Sequence, residues 1–448
     1  MTIWSGNCWE GREMWMSRLE ELIQELCPNG VEYKVLSDVA IKFTDGMHSL
    51  PKDIRTTGDY PILSAQNVNN GKIDLYTTKY VMGDVFQKEN NRTNVCKGDV
   101  LLTIVGAIGR VAVVKDNLQA LFQRSVCVIK PNKNVIISQY LGYALETTSI
   151  QNYMQVNAHG AAQKGLYLEQ VGKLRIPVPP LEVQYEIVRI LDNFTELTAE
   201  LTAELTARKK QYEYYRDDLL NFDRYRGGVW YNVKLRDIAT DIYRGSGITR
   251  EQVTEDGIPC VRYGEIYTTY NVWFDECKSH TTIENIANPK YFEYGDILFA
   301  ITGESVEDIA KSTAYVGNEK CLAGGDIVVL KHNQNPKYLS YVLSTHNAQQ
   351  QKSKGKIKSK VVHSSVPAIE EIEIPLPDLE VQNRLVNVLD NFDAICTDLN
   401  IGLPAEIEAR QRQYEYYRDL LLTFVEQGNT ILTDRQTDRQ TDRQTDVN

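Results

Sequence analysis

The chain has 448 residues, 42% of them hydrophobic and 24% charged, and carries a formal net charge of −11. That is room for two or three domains of ordinary globular composition. Its longest apolar run, Val100–Val114, is broken by Arg110 and two glycines and is too short for a bilayer-spanning helix, and no secretory leader is expected before it. Eight cysteines, never closer than 17 residues, exclude a CxxC metal clamp or redox pair and suit a reduced cytoplasm.

Residues 1–15 hold three of the five tryptophans without any period. They read as an upstream extension, with translation expected to start at Met16. Ser17-Arg18-Leu19-Glu20 is a capping box opening a short helix within 16–31. A first α+β domain is expected over 32–175. Its signals are a strand or short helix at Val35–Ala40, a strand ending at Leu63, and strands Gly98–Val105 and Arg110–Val114 around a glycine turn. A further strand at Ser125–Lys130 and a helical stretch near Ser138–Tyr153 follow. Pro177, Pro179 and Pro180 then stop any incoming helix and suit the start of a long one across 176–228.

Residues 229–373 repeat the domain plan: Val233–Ala239, Asp256–Val261, Gly295–Gly303 and Pro336–Leu343 echo the earlier segments. The apolar and turn framework matches while the polar loops differ, which implies one scaffold with two targets. A second helical segment spans 374–427. The tail 428–448 ends in Thr-Asp-Arg-Gln repeats too polar to pack, so it is expected to be disordered. The codons ACA-GAC-AGA-CAG, an uninterrupted ACAG repeat, encode that tetrapeptide, so the gene is expected to carry a slippage-prone repeat and a switchable downstream frame; mixed codons at these residues would remove the idea.

The helical segments are also copies. Leu191 recurs at Leu389 and Tyr212 at Tyr414, and both copies contain Leu-Glu-Val-Gln, Leu-Asp-Asn-Phe and Gln-Tyr-Glu-Tyr-Tyr-Arg-Asp. In the first, Ile187, Leu191, Phe194, Thr198, Leu201, Leu205, Arg208, Tyr212, Tyr215, Leu219 and Phe222 step by four and three, a heptad seam about 40 residues and roughly 60 Å long. Such a stripe needs a partner. The expected one is its twin, through Leu385, Leu389, Phe392, Cys396, Leu399, Tyr414, Tyr417, Leu421 and Phe424, broken at Gly402-Leu403-Pro404. The fold expected is therefore α+β, two duplicated recognition domains separated by a pair of long antiparallel coiled-coil helices. The alternative is two surface helices, each packed on its own domain.

No phosphate loop, HExxH or GxSxG motif is present, and the six histidines show no metal spacing. Asn288-Pro-Lys-Tyr291 and Asn335-Pro-Lys-Tyr338 are only faint echoes of an amino-methyltransferase pocket. What is present fits nucleic-acid contact. Residues 31–175 carry 17 Lys and Arg against 12 Asp and Glu, and seven lysines without an acid lie between Asp326 and Glu370. The candidate DNA contacts in the first domain are Gln123, Arg124, Ser125, His159, Gln163 and Lys164. In the second they are Arg262, Tyr263, Lys311, Lys352, Lys354, Lys356, Lys358 and Lys360, the last five read as a flexible phosphate-gripping loop.

From Met16 to about Gly428 the sequence resembles the specificity subunit of a type I restriction-modification enzyme. The marks are Ile-Pro-Val-Pro-Pro-Leu-Glu-Val-Gln (176–184), the Thr-Ala-Glu-Leu tetrapeptides (198–205), residues 208–217, and their counterparts at 374–382 and 404–419. The resemblance implies a non-catalytic chain whose two target-recognition domains each read half of a split site on double-stranded DNA. It implies two methyltransferase subunits, which bring S-adenosylmethionine and methylate adenine, and restriction (motor) subunits, which bring ATP, with no cofactor in this chain. A rival reading is a protein-binding coiled-coil adaptor without DNA affinity; another is a stand-alone methyltransferase or nuclease.

Overall fold

The computed structural model describes residues 18–160, 164–221, 231–356, 361–397 and 402–424. The chain divides into two compact units, one of residues up to Glu200 with those from Glu408 on, the other Leu201–Ile407. Each holds one α+β domain and two helical pieces.

In the first unit the central sheet comprises β1 (Ala40–Asp45), β2 (Val100–Thr103), β3 (Val111–Val113) and β4 (Val126–Pro131), in the order β1-β4-β2-β3, all antiparallel. β2 is buried at every position, as a strand covered on both faces must be. Leu101, Val126 and Val128 face a smaller core with Leu63 and Phe122. Val100, Leu102, Cys127 and Ile129 face the main one, under α1 (Ser138–Leu145) and α2 (Thr148–Val156). The single helical stretch expected near Ser138–Tyr153 is thus two helices. A helix over residues 18–26 packs Leu19 and Ile23 into the same core. The domain closes where Tyr33–Val35 pairs antiparallel with Arg175–Pro177, and the buried Tyr140 hydroxyl donates to the Pro177 carbonyl at 3.0 Å.

Directly after the prolines, α3 runs from Leu181 to Leu219. Its first turns bury Val183, Ile187, Ile190 and Leu191 in the first unit's main core.

The second unit repeats the plan with β5 (Ala239–Arg244), β6 (Trp273–Phe274), β7 (Ile297–Ala300), β8 (Ser312–Tyr315) and β9 (Ile327–His332), in the order β5-β9-β7-β8-β6. Here α4 (Pro336–Leu343) and α5 (His346–Ser353) cover the sheet. Tyr231–Lys234 pairs with Glu373–Leu376, and the Tyr338 hydroxyl donates to the Pro375 carbonyl at 2.8 Å. The twin rod is α6 (Leu379–Thr397) and α7 (Leu403–Leu422), interrupted where Gly402 and Pro404 predict a break.

Both sequence alternatives for the helices hold in part. Each rod packs on a domain, and each pairs antiparallel with its twin. In the first unit Phe194 stacks on Tyr417 at 5.4 Å, and Tyr414, Leu421 and Phe424 join the core that holds Ile187 and Leu191. In the second, Tyr215 stacks on Phe392 at 6.2 Å, while Tyr212 shares a core with Leu389 and Cys396, and Leu385 packs against it. Thus the end of the first copy docks on the second domain, and the end of the second copy on the first. The seam is not uniformly dry: Leu201, Leu205 and Leu219 are half-buried and Tyr215 is 41% exposed. Burial is greatest where a domain as well as a partner helix surrounds the rod. Phe222, Leu399, residues 1–15 and the tail lie outside the described residues.

The motifs shared by the copies turn out to be polar latches. Gln184, fully buried, accepts from Ile137 N (2.9 Å) and donates to the carbonyls of Val135 (2.9 Å) and Pro179 (2.8 Å). Gln382 accepts from Asn335 N (3.0 Å) and donates to Gln334 Oε1 (2.9 Å) and Pro377 O (2.8 Å). The Asp of Leu-Asp-Asn-Phe accepts a tyrosine hydroxyl each time: Tyr143 on Asp192 (2.5 Å) and Tyr341 on Asp390 (2.7 Å). Asp419 accepts from Thr148 N (3.2 Å) and Asp217 from His346 N (3.0 Å), so each carboxylate meets the open first turn of a domain helix.

Candidate nucleic-acid interface

One end of each central sheet gathers most of the polar residues singled out in the sequence. In the first domain, β1 ends at Asp45 and turns through Gly46 and Met47. Met47 bridges Gln123 just before β4, and Arg124 N donates to Met47 O at 2.9 Å. β2 leaves the sheet at the same end, where Ile104 N donates to Ser125 O (2.9 Å) and Gly106 N to Lys164 O (3.1 Å). Residues 157–160 and 164–166 are tied there by His159–Gly165 pairing and by Leu166 N on Ile104 O (2.7 Å). Gln123, Arg124, Ser125, His159 and Lys164 are therefore neighbours along one edge; Gln163 lies outside the described residues. Arg124, His159 and Lys164 are exposed, and the His159 ring lies 6.3 Å from that of the exposed Tyr167. The Gly109 turn at this edge has φ +93° and is pressed on Gln151, whose amide donates to Gly109 O at 2.8 Å.

The second domain builds the same edge. Ser246 bridges Gly324, Gly324 N donates to Val261 O (2.8 Å), and Ile301 N to Asp326 O (2.9 Å). Thr302–Gly303 pairs with Val362–His363. Arg262 and Tyr263 follow Val261 directly and so border this edge. Tyr263 is exposed, and Arg262 Nε lies 3.9 Å from Glu265 Oε2. Lys354 is exposed, and Lys356 Nζ donates to His363 O at 2.8 Å. Lys358 and Lys360 lie outside the described residues.

Three sequence candidates are committed to the protein itself. Lys352 is not on a loop: it sits in α5, 4% exposed, with Nζ donating to Leu343 O (2.7 Å) and Ser312 Oγ (3.1 Å). Burial pulls its pKa down to about 7. It fills the α5 position that Met154 fills in α2, so its spacing in a lysine-rich run hides a core role. Lys311 Nζ lies 3.3 and 3.4 Å from the carbonyls of Tyr267 and Tyr270, and burial lowers its pKa as well. Ser125 Oγ accepts from Ala65 N at 3.0 Å, which holds the entry to β4 and occupies the hydroxyl as an acceptor. Sequence reasoning also missed Asp45, His48 and Arg92. Asp45 pairs with both His48 and Arg92, and its carbonyl accepts from Arg92 Nε at 2.9 Å. The signal available was the Asp-Gly turn that ends a strand.

A doubled α+β scaffold, showing different side chains at the same edge of each copy, defines a two-part recognition protein. Residues 28–208 and 229–409 each match the family described as Type I restriction modification DNA specificity domain, and the chain belongs to that family. The EcoR124I/EcoR124II type I restriction enzyme specificity subunit of Escherichia coli is 32% identical over 273 residues, a match spanning 58% of this chain and 66% of that one. A putative type I restriction enzyme specificity subunit of Haemophilus influenzae is 25% identical over 420 residues, spanning 91% and 98%. A chain solved in a study of complex assembly and conformational transition of the type I R-M system shares the fold, with a TM-score of 0.58 and 16% identity over 89% of this chain and 98% of that one. No described helix is long and apolar enough to cross a membrane.

Proposed function

We propose that this chain is the DNA sequence-specificity subunit of a cytoplasmic type I restriction-modification complex. Each domain reads one half of a bipartite target through its shared sheet edge. The paired rods set the distance between half-sites and dock two methyltransferase subunits, which restriction subunits join. S-adenosylmethionine and ATP belong to those partners, and this chain does no chemistry itself. The observation that carries the reading is the repetition of one polar edge on two scaffolds with different side chains, since base edges are told apart by the donors and acceptors presented to them.

The test is reconstitution. The purified chain alone is expected to transfer no methyl group; with methyltransferase subunits added, the complex is expected to bind duplex DNA with an affinity that falls steeply with salt. Methylation by the lone chain would support a stand-alone enzyme. A complex without salt-sensitive duplex binding would support a protein-binding adaptor.

A further inference from the structure

In both domains the turn leaving the first sheet strand crosses the turn entering the last one, and the same backbone bonds hold the crossing. Met47 N donates to Phe122 O at 2.7 Å in the first domain, and Ser246 N to Ala323 O at 2.9 Å in the second. The approach is closer than a side chain permits. A Cβ on Gly46 would lie 2.1 Å from the Phe122 carbonyl oxygen, and one on Gly245 would lie 2.3 Å from that of Gly324.

Two residues past those glycines the domains part company. The first has His48, exposed, with Nε2 2.8 Å from Asp45 Oδ2 and 3.1 Å from Arg92 Nη2. Asp45 is 8% exposed and its backbone carbonyl accepts from Arg92 Nε at 2.9 Å, so carboxylate, guanidinium and imidazole form one braced group. The second domain has Gly247. Among the described residues, no atom beyond its chain neighbours lies within 4 Å of where its Cβ would be, and its φ is not in the left-handed region. Its neighbours across the crossing are crowded: a Cβ on Gly324 would meet Val261 O at 2.9 Å, too close for any side chain, and one on Gly325 would press on Gly247 Cα at 3.0 Å. Packing therefore accounts for Gly245 and Gly324, crowds Gly325, and among the described residues gives no reason for a glycine at 247.

We propose that this crossing sets half-site choice in each domain: His48, braced by Asp45 and Arg92, touches the DNA from the first, and Gly247 keeps a side-chain-free gap through which the duplex reaches the second domain's main chain. The inference rests on the DNA-specificity reading above. An exposed histidine next to Met47, whose carbonyl accepts from Arg124 N at 2.9 Å, offers a donor or acceptor to a base edge, whereas an exposed glycine offers close approach.

The experiment uses the full chain assembled with methyltransferase subunits, and compares wild type with His48→Ala and Gly247→Ala. Thermal unfolding is measured alongside methylation rates on duplexes carrying the wild-type target and single changes in each half. Gly247→Ala is expected to melt as wild type does and to methylate roughly 5- to 150-fold more slowly, if the lost approach costs as much as one mismatched base pair, ~1–3 kcal/mol. Changes in the second half-site then alter its discrimination while the first stays as it was. His48→Ala is expected to relax discrimination about tenfold at one position of the first half-site only. Wild-type rates and discrimination in both variants would overturn the proposal, as would an early-melting Gly247→Ala or losses spread over both halves. Failure of the underlying reading shows differently: the wild-type complex itself would then methylate no two-part site.

Discussion

Gln184 and Gln382 are fully buried amides that satisfy backbone groups just before a domain helix and at the proline stretch behind them. Truncating either leaves a buried N–H and carbonyl without partners. Gln184→Ala is therefore expected to destabilise the first unit by about 3 kcal/mol in urea unfolding. Lys352 makes the opposite case, a buried cation where the other domain has methionine. Its folded pKa of about 7 lies below the ordinary 10.5, so unfolding takes up a proton between those values. Stability of the second unit is thus expected to rise with pH from about 7 to about 10, while below pH 7 the penalty stays constant. Lys352→Met is expected to flatten that slope and raise stability at pH 7 by on the order of 3 kcal/mol, measured as the pH dependence of the melting curve. An unchanged slope would mean the ammonium is solvated in the folded chain.

At the scale of elements, the carboxylates at the ends of the rods connect one copy to the other copy's domain. Asp217 meets His346 N at the start of α5, and replacing it with alanine is expected to cost about 1 kcal/mol, the worth of a helix-terminal acceptor. The four-residue repeat in α3 bears on spacing. Deleting Thr202–Leu205 removes ~6 Å of helix and is expected to shorten the spacer between half-sites by about one base pair, at ~3.4 Å per pair, with each half-site unchanged. An unaltered spacer in the methylation pattern would refute the ruler. The rods were the most legible part of the chain, because prolines, a heptad seam and Gly402-Leu403-Pro404 mark their start, buried stripe and break by local chemistry alone. The latches were visible only as repeated letters, since a buried glutamine and a surface one look alike in sequence. The sheet edge was half legible: Gln123, Arg124, His159 and Lys164 stood out as donors, but their assembly depends on Gly46 crossing under residues far along the chain. Lys352 misled because burial depends on which helix face meets the sheet.

For the whole molecule, duplication explains why one chain contains two similar cores and two dissimilar edges. Val100, Leu102 and Ile129 in one core, and Ile297, Phe299 and Leu330 in the other, keep the sheets alike. His48 against Gly247, and Gln123-Arg124 against Gly324-Gly325, make the edges unlike. Under the proposed function, a complex built on this chain is expected to mark an asymmetric, divided site. The direct measurement is a genome-wide map of methylated adenines in cells expressing this chain with its methyltransferase subunits. Two dissimilar half-sites separated by a constant stretch of indifferent bases is the predicted result, and a single uninterrupted motif, or two identical halves, would contradict it.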